Sequence, residues 1–140
     1  MSVSPDIQAT FDYLFAAAAK ALQANQSFEP FATATSVRGQ RTHSTTDLGS
    51  IITSPTEHIS ALLATLKGQA DKAEIRTAGV VFNARTPADM KGGEDSVVIH
   101  AETLAGEAVQ IFVPYTRKGV PKPAFAQPII QDVPARIFPR

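Results

Sequence analysis

Apolar residues recur along this chain with two different periods. From Ile7, the positions Phe11, Leu14, Phe15, Ala18 and Leu22 follow at helical spacing, while Asp12, Lys20 and Gln23 fall off the stripe. Ser4-Pro5-Asp6 supplies the start, with a capping serine, a proline at the first helical position and an acid at the positive end of the helix dipole. The pattern predicts a helix that stops near Asn25, and the alanine run at 16–19 favours helix and lets a neighbour approach closely. A second helix is predicted after Ser54-Pro55-Thr56-Glu57, where an N-cap, a first-turn proline and a capping-box glutamate coincide. Its buried stripe is Ile59, Leu62, Leu63 and Leu66, Lys67 and Asp71 pair on the exposed side, and it ends between Ala70 and Ala73.

Elsewhere the period is two. Phe28 to Asp47 is Thr-rich and reads as two strands about a turn at Gly39-Gln40, and Gly49 to Ser54 leads into the second helix. Glu74 to Arg85 is a strand with Ala78, Val80 and Phe82 on one face, followed by a loop from Thr86 to Asp95. Ser96–Thr103 and Glu107–Tyr115 form a hairpin about Leu104-Ala105-Gly106. A three-residue loop ending in glycine suits a type I turn with a G1 bulge and sets Thr103 opposite Glu107. Val97, Ile99 and Ala101 then share a face with Val109, Ile111 and Val113, whereas a shorter or longer loop would mix the faces.

The tail from Gly119 to Arg140 holds five of the ten prolines, yet Phe125, Ile129, Ile130, Ile137 and Phe138 are too apolar for a free linker. It is expected to run extended across the body or along a sheet edge. The whole is a single α+β domain over residues 1–140, with 119–140 as a tail packed on it. An antiparallel sheet of about five strands carries two helices on one face, in the order α-β-β-α-β-β-β. That order is similar to the order in profilin-like and roadblock-like domains.

Composition narrows the function classes. A hydrophobic share of 44% and a charged share of 19% are those of a globular chain. Lys plus Arg and Asp plus Glu are both 13, so the chain lacks the clustered positive charge on which nucleic-acid binding rests. There is no cysteine, which excludes disulfides, thiolate nucleophiles and Cys-ligated zinc. The N-terminal MSVSPDIQATF lacks a basic region followed by an apolar run, and no stretch reaches transmembrane length. A cytoplasmic protein without membrane or nucleic-acid partners is expected.

Two short segments carry a resemblance. Phe28-Glu-Pro-Phe31 after the first helix and Ile111-Phe-Val-Pro-Tyr115 at the end of the last hairpin resemble recurring features of a group of small bacterial proteins of unknown function. The runs AEIRTAGVVFNART and GGEDSVVIHAETLAGEAVQIFVPYTRKG are similar to that group over most of the chain, and Phe138 matches an aromatic near its C-terminus. The chain departs from the pattern at Ala32, where the relatives tend to have a glycine. The resemblance implies a fold and no activity, and brings no catalytic residues with it.

Candidate chemistry is sparse. His43 reads as a solvated strand residue, and His58 as a surface residue in the first turn of the second helix. Gly92-Gly93 has no helix after it and reads as a turn rather than a phosphate loop. Arg117-Lys118-Gly119 and Glu94-Asp95 read as solvated charge, and no GxSxG elbow or HExxH pattern occurs. His100 alone lies in mid-strand, on a face with Val98, Glu102, Ala108, Gln110 and Phe112. If Val80 and Phe82 point inward, Arg85 joins that face. The pairs His100–Gln110 and Val98–Phe112 are ordinary cross-strand partners, so packing on another chain or under the tail is the preferred reading of this face.

These observations predict a non-enzymatic interaction or structural module acting as a homodimer, with no cofactor, metal or catalytic residue. The alternative is a small-molecule-binding protein or enzyme with a shallow site at His100, Arg85, Gln110 and Phe112. It requires an open pocket beside His100.

Overall fold

The computed structural model describes residues 3–24, 27–45, 54–117 and 122–139. Both helices begin where their caps dictate. In α1 (Pro5–Gln23) the Ser4 hydroxyl accepts the Ile7 N–H at 3.3 Å, and in α2 (Pro55–Asp71) Ser54 accepts from Glu57 at 3.3 Å. Each bond satisfies an amide that the first turn leaves without a helical partner. α1 closes on Ala24. Asn25, the lead-in to α2 over 49–53, and Lys118–Gly119 lie outside the described residues.

The strands are β1 (Phe31–Ser36), β2 (Arg41–Thr45), β3 (Ile75–Arg85), β4 (Asp95–Thr103), β5 (Ala108–Thr116), β6 (Ala124–Phe125) and β7 (Ile129–Asp132). They form one antiparallel sheet in the order β2-β1-β3-β4-β5, and β6 and β7 both pair with β5 at its outer edge. The sheet has seven strands rather than about five. The two additions come from the proline-rich tail, whose short pairing segments leave no alternating pattern to read.

The last hairpin has the register that its apolar pattern requires. The Thr103 N–H donates to the Glu107 carbonyl at 3.0 Å, and Gly106 has a φ of 119° that suits glycine at the bulge. Val97 then stands opposite Val113, Ile99 opposite Ile111, and His100 opposite Gln110.

The helices do not share a face of the sheet. Ile7, Phe11, Leu14, Ala18 and Leu22 of α1 pack on Val81, on Val97 and Ile99, and on Ile111 and Val113. Leu62, Leu63, Leu66 and Ala70 of α2 pack on Ala32, Ala34, Ala78 and Val80 from the other side, together with Ile137 and Phe138 of the tail. This corrects the expectation that both helices cover the face of Val109, Ile111 and Val113. The reason lies in β3, whose Val81 pairs with Ile99 and whose Val80 pairs with His100. A central strand that is apolar on both faces carries no alternation to say which side meets which helix.

α1 lies close on the sheet at Gly79. A Cβ there would come within 2.7 Å of the Thr10 methyl and 3.0 Å of Leu14, so only glycine admits the helix at this distance. No helix among the described residues is long and apolar enough to cross a membrane.

Candidate functional site

On the face nominated from the sequence, His100 and Glu102 prove to form a closed polar cluster. His100 is 1% exposed and Glu102 is 0% exposed. The Glu102 carboxylate accepts from His100 Nε2 at 2.5 Å and from the backbone N–H groups of Arg136 at 2.6 Å, Ile137 at 3.1 Å and Phe138 at 3.1 Å. A carboxylate can only accept, so Nε2 carries the hydrogen of the first bond. Burial works to raise the Glu102 pKa. The His100 bond and the three amides outweigh it and hold the carboxyl below its usual range. His100 Nδ1 is buried without a hydrogen-bond partner among the described residues.

The four nominated residues are therefore not one site. Gln110 stands opposite His100, and Phe112 opposite Val98 and Ile129, where it is half-buried. Arg85 is on the other face, as its pairing with Asp95 requires, at the far end of β3 from His100. Its expected grouping with His100 assumed that Val80 faced α1, which the register reverses. His100, Gln110 and Phe112 line none of the three cavities described below, and residues 136–138 of the tail bond the Glu102 carboxylate beside His100.

An open site lies at the other end of the sheet, where α1 finishes and α2 begins. This cleft of about 480 Å³ has an apolar wall of Leu22, Phe28, Pro30 and Pro55. Asn83 from the end of β3, Asp95 from the start of β4, and Tyr115 and Arg117 from the end of β5 form its polar wall. Glu29 and His58 complete the charged and titratable rim. Its volume is in the range of small-molecule pockets.

Within the cleft the Tyr115 hydroxyl and one arm of Arg117 are engaged, and the carboxylates are not. The Tyr115 hydroxyl donates to Asn83 Oδ1 at 2.6 Å, and one arm of the Arg117 guanidinium donates to the Leu22 carbonyl at 2.5 Å. The latter bond satisfies an orphan carbonyl and places a cation at the negative end of α1. Ser54 occupies the Glu57 amide, and Pro55 has no N–H to offer. Among the described residues, neither Asp95 nor Glu29 has a side-chain hydrogen bond or an ion pair, and Arg85 opposite Asp95 makes none with it. Burial, reinforced by the Asp95 charge, pushes the Tyr115 hydroxyl above the usual phenol range, and Arg117 acts in the opposite direction.

Comparison with known proteins returns nothing. No family model, no curated protein and no solved structure matches this chain. The functional reading rests on geometry alone.

Two further cavities are less equipped. One of about 580 Å³ lies between the β4–β5 hairpin tip and the tail, with Glu107 and Asp132 its only ionisable lining groups. Glu107 there accepts the Ser4 N–H at 3.4 Å. The other, of about 470 Å³, has no ionisable side chain in its lining. No group of three or more His, Asp or Glu able to hold a metal occurs among the described residues.

Sequence reasoning set aside Asp95, Arg117 and His58 one by one as solvated charge, and the fold brings all three to one cleft. Phe28, Glu29 and Pro30 come from the segment 28–31 and Tyr115 from the segment 111–115, and all four line the cleft although almost eighty residues separate the segments.

Proposed function

We propose that this protein is a non-enzymatic small-molecule-binding module whose ligand occupies the cleft between the C-terminal end of α1 and the N-terminal end of α2. The observation that carries this reading is the combination, in one cavity of about 480 Å³, of an apolar wall with a carboxylate, Asp95, left without a partner among the described residues. A surface designed only for stability would leave that carboxylate in open water rather than beside the buried ring of Tyr115.

Binding is favoured over catalysis by the state of the polar groups. Tyr115 is held as a neutral phenol and donates its hydrogen to Asn83, so it has no character as a base near neutral pH. Ser54 acts as a helix cap. Among the described lining residues no hydroxyl is hydrogen-bonded to a general base in the manner of an activated nucleophile.

Self-association, the function expected from the sequence, keeps only part of the surface that motivated it. Val98, His100 and Ala108 are buried within one chain, and the large apolar side chains exposed among the described residues are Val37 and Leu104. The half-buried Phe82, Phe112 and Ile129, in one row across the sheet with Val98, are the apolar surface on which self-association would have to rest.

A fragment screen followed by protein NMR tests the proposal. Hits should cluster on the signals of Phe28, Asn83 and Tyr115 and should weaken when Phe28→Ala removes the apolar wall. Hits confined to the hairpin-tip cavity, or none on the cleft across a diverse library, would overturn it.

A further inference from the structure

The cleft also indicates the charge of its ligand. Besides the Tyr115 phenol, five charged or titratable side chains stand in or beside it: Arg85, Arg117 and His58 against Glu29 and Asp95. Arg85 is exposed and does not line the cavity. Arg117 is held by the Leu22 carbonyl and offsets the negative end of α1 rather than the acids of the rim. The α2 N-terminus, which would otherwise attract an anion, has its Glu57 amide taken by Ser54 and a proline in its first position.

The remaining charge that faces the cavity without a partner among the described residues is negative. Asp95 is half-buried at the polar wall, and Glu29, next to Phe28 in the lining, is exposed. Half-burial weakens the solvation of Asp95, so a cation placed against it gains more than it would at a free surface. Phe28, half-buried in the lining, is an aromatic neighbour of the kind that attracts a cation electrostatically. Leu22, Pro30 and Pro55 accept an apolar body behind the charged head.

From this arrangement we infer that the ligand is an organic cation: an ammonium group carried on an apolar body of ring size, with Asp95 as its counter-ion and Glu29 as an outer acceptor. The inference rests on the reading of the cleft as a ligand site and adds the chemical class. A free carboxylate or phosphate ligand would meet Asp95 as a like charge, and Arg117, the arginine of the lining, already gives one arm to the Leu22 carbonyl.

Matched probes of one shape and three charges separate the inference from the reading beneath it. The full chain is titrated with 2-phenylethylamine and cyclohexylmethylamine, with their carboxylate counterparts phenylacetate and cyclohexanecarboxylate, and with 2-phenylethanol and cyclohexylmethanol. Binding is followed by NMR at Phe28, Asn83 and Tyr115. The amines should give saturable shifts there, and Asp95→Asn should weaken them by about tenfold or more, the loss of one charge-assisted contact. Glu29→Gln should weaken them by a smaller factor, and Glu107→Gln, at the hairpin tip, should leave them unchanged. Melting curves of each variant verify that it is folded, and Glu29→Gln keeps the test alive should Asp95→Asn fail to fold. Carboxylates or alcohols that bind the cleft as well as or better than the amines would overturn the cation while leaving the ligand site standing. Absence of any cleft shift from all six probes and from the diverse library would remove both.

Discussion

Glu102 and Asp95 are both carboxylates on β4, seven residues apart, and the fold uses them in opposite ways. Glu102 lies at the inner end of the strand, where four donors converge on it and no solvent reaches it. Asp95 lies at the opening of the strand, half-buried beside a cavity, with no partner among the described residues. A carboxylate whose acceptor capacity is filled from its own chain is part of the framework, because any ligand would first have to break that framework. One held beside an apolar cavity with its capacity unfilled is available for recognition. A titratable side chain in mid-strand, the feature that singled out His100 from the sequence, is thus the wrong guide to the site here. Unfilled capacity next to a cavity is the better one.

The sharpest way to break this contrast is to remove the filled carboxylate. Glu102→Ala would leave His100 and three backbone N–H groups buried without their acceptor and release the turn that seats Ile137 and Phe138 against α2. A loss of about 3–5 kcal/mol is expected, the range for breaking a buried charged network. Urea unfolding measures it, and a loss below 1 kcal/mol would mean that the clamp contributes little and that Glu102 is no more structural than Asp95.

Acid sharpens the same contrast. Because contacts in the folded state hold the Glu102 carboxyl below its usual range, its folded pKa lies below the unfolded one, about 4.3. Its stabilisation is then complete above the unfolded value and is lost as pH falls through the folded one. The urea midpoint should therefore drop on acidification below about pH 4.3, and Glu102→Gln should flatten that part of the curve. Equal acid sensitivity in the wild type and the Gln variant would assign the loss to other carboxylates.

How much of this could be read from the chain divides along the same line. The hairpin was legible in detail, since the Leu104-Ala105-Gly106 loop and the alternation of Val97, Ile99 and Ala101 allow one register. The helix starts were legible because Ser-Pro with an acid is local chemistry. The facing of β3 was not, since Ala78 and Val80 on one side are as apolar as Gly79 and Val81 on the other. Glu102 as a clamp left no trace, because three of its partners are backbone amides of residues 136–138 and amides have no side-chain signature. The cleft draws its polar groups from five separate segments, each contributing one or two ordinary residues, so no spacing rule could assemble them.

A smaller effect is expected at Tyr115. Tyr115→Phe removes the bond to Asn83 Oδ1 while keeping the ring that packs on Phe125 at 5.8 Å. Because Asn83 is exposed and regains water, the loss should be about 1 kcal/mol, the usual net value of one hydrogen bond. A loss as large as that of Glu102→Ala would place Tyr115 in the framework and shrink the difference between the two ends of β4.

Asp95→Asn should change stability least of all, and this is where the contrast is most exposed to failure. The side chain has no partner to lose among the described residues, so the urea midpoint should shift by no more than about 0.5 kcal/mol equivalent. It should nevertheless be felt by its neighbour. The Asp95 charge adds to burial in raising the Tyr115 pKa, so neutralising it should bring the phenol down toward its ordinary value. Tyrosinate absorbance in a Tyr13→Phe background isolates that titration, since Tyr13 and Tyr115 are the two tyrosines of the chain. A downward shift with unchanged stability would show a charge that acts on the cleft without supporting the fold. No shift would mean that water screens Asp95 from the Tyr115 hydroxyl, and a carboxylate so well solvated would give an incoming cation little to gain.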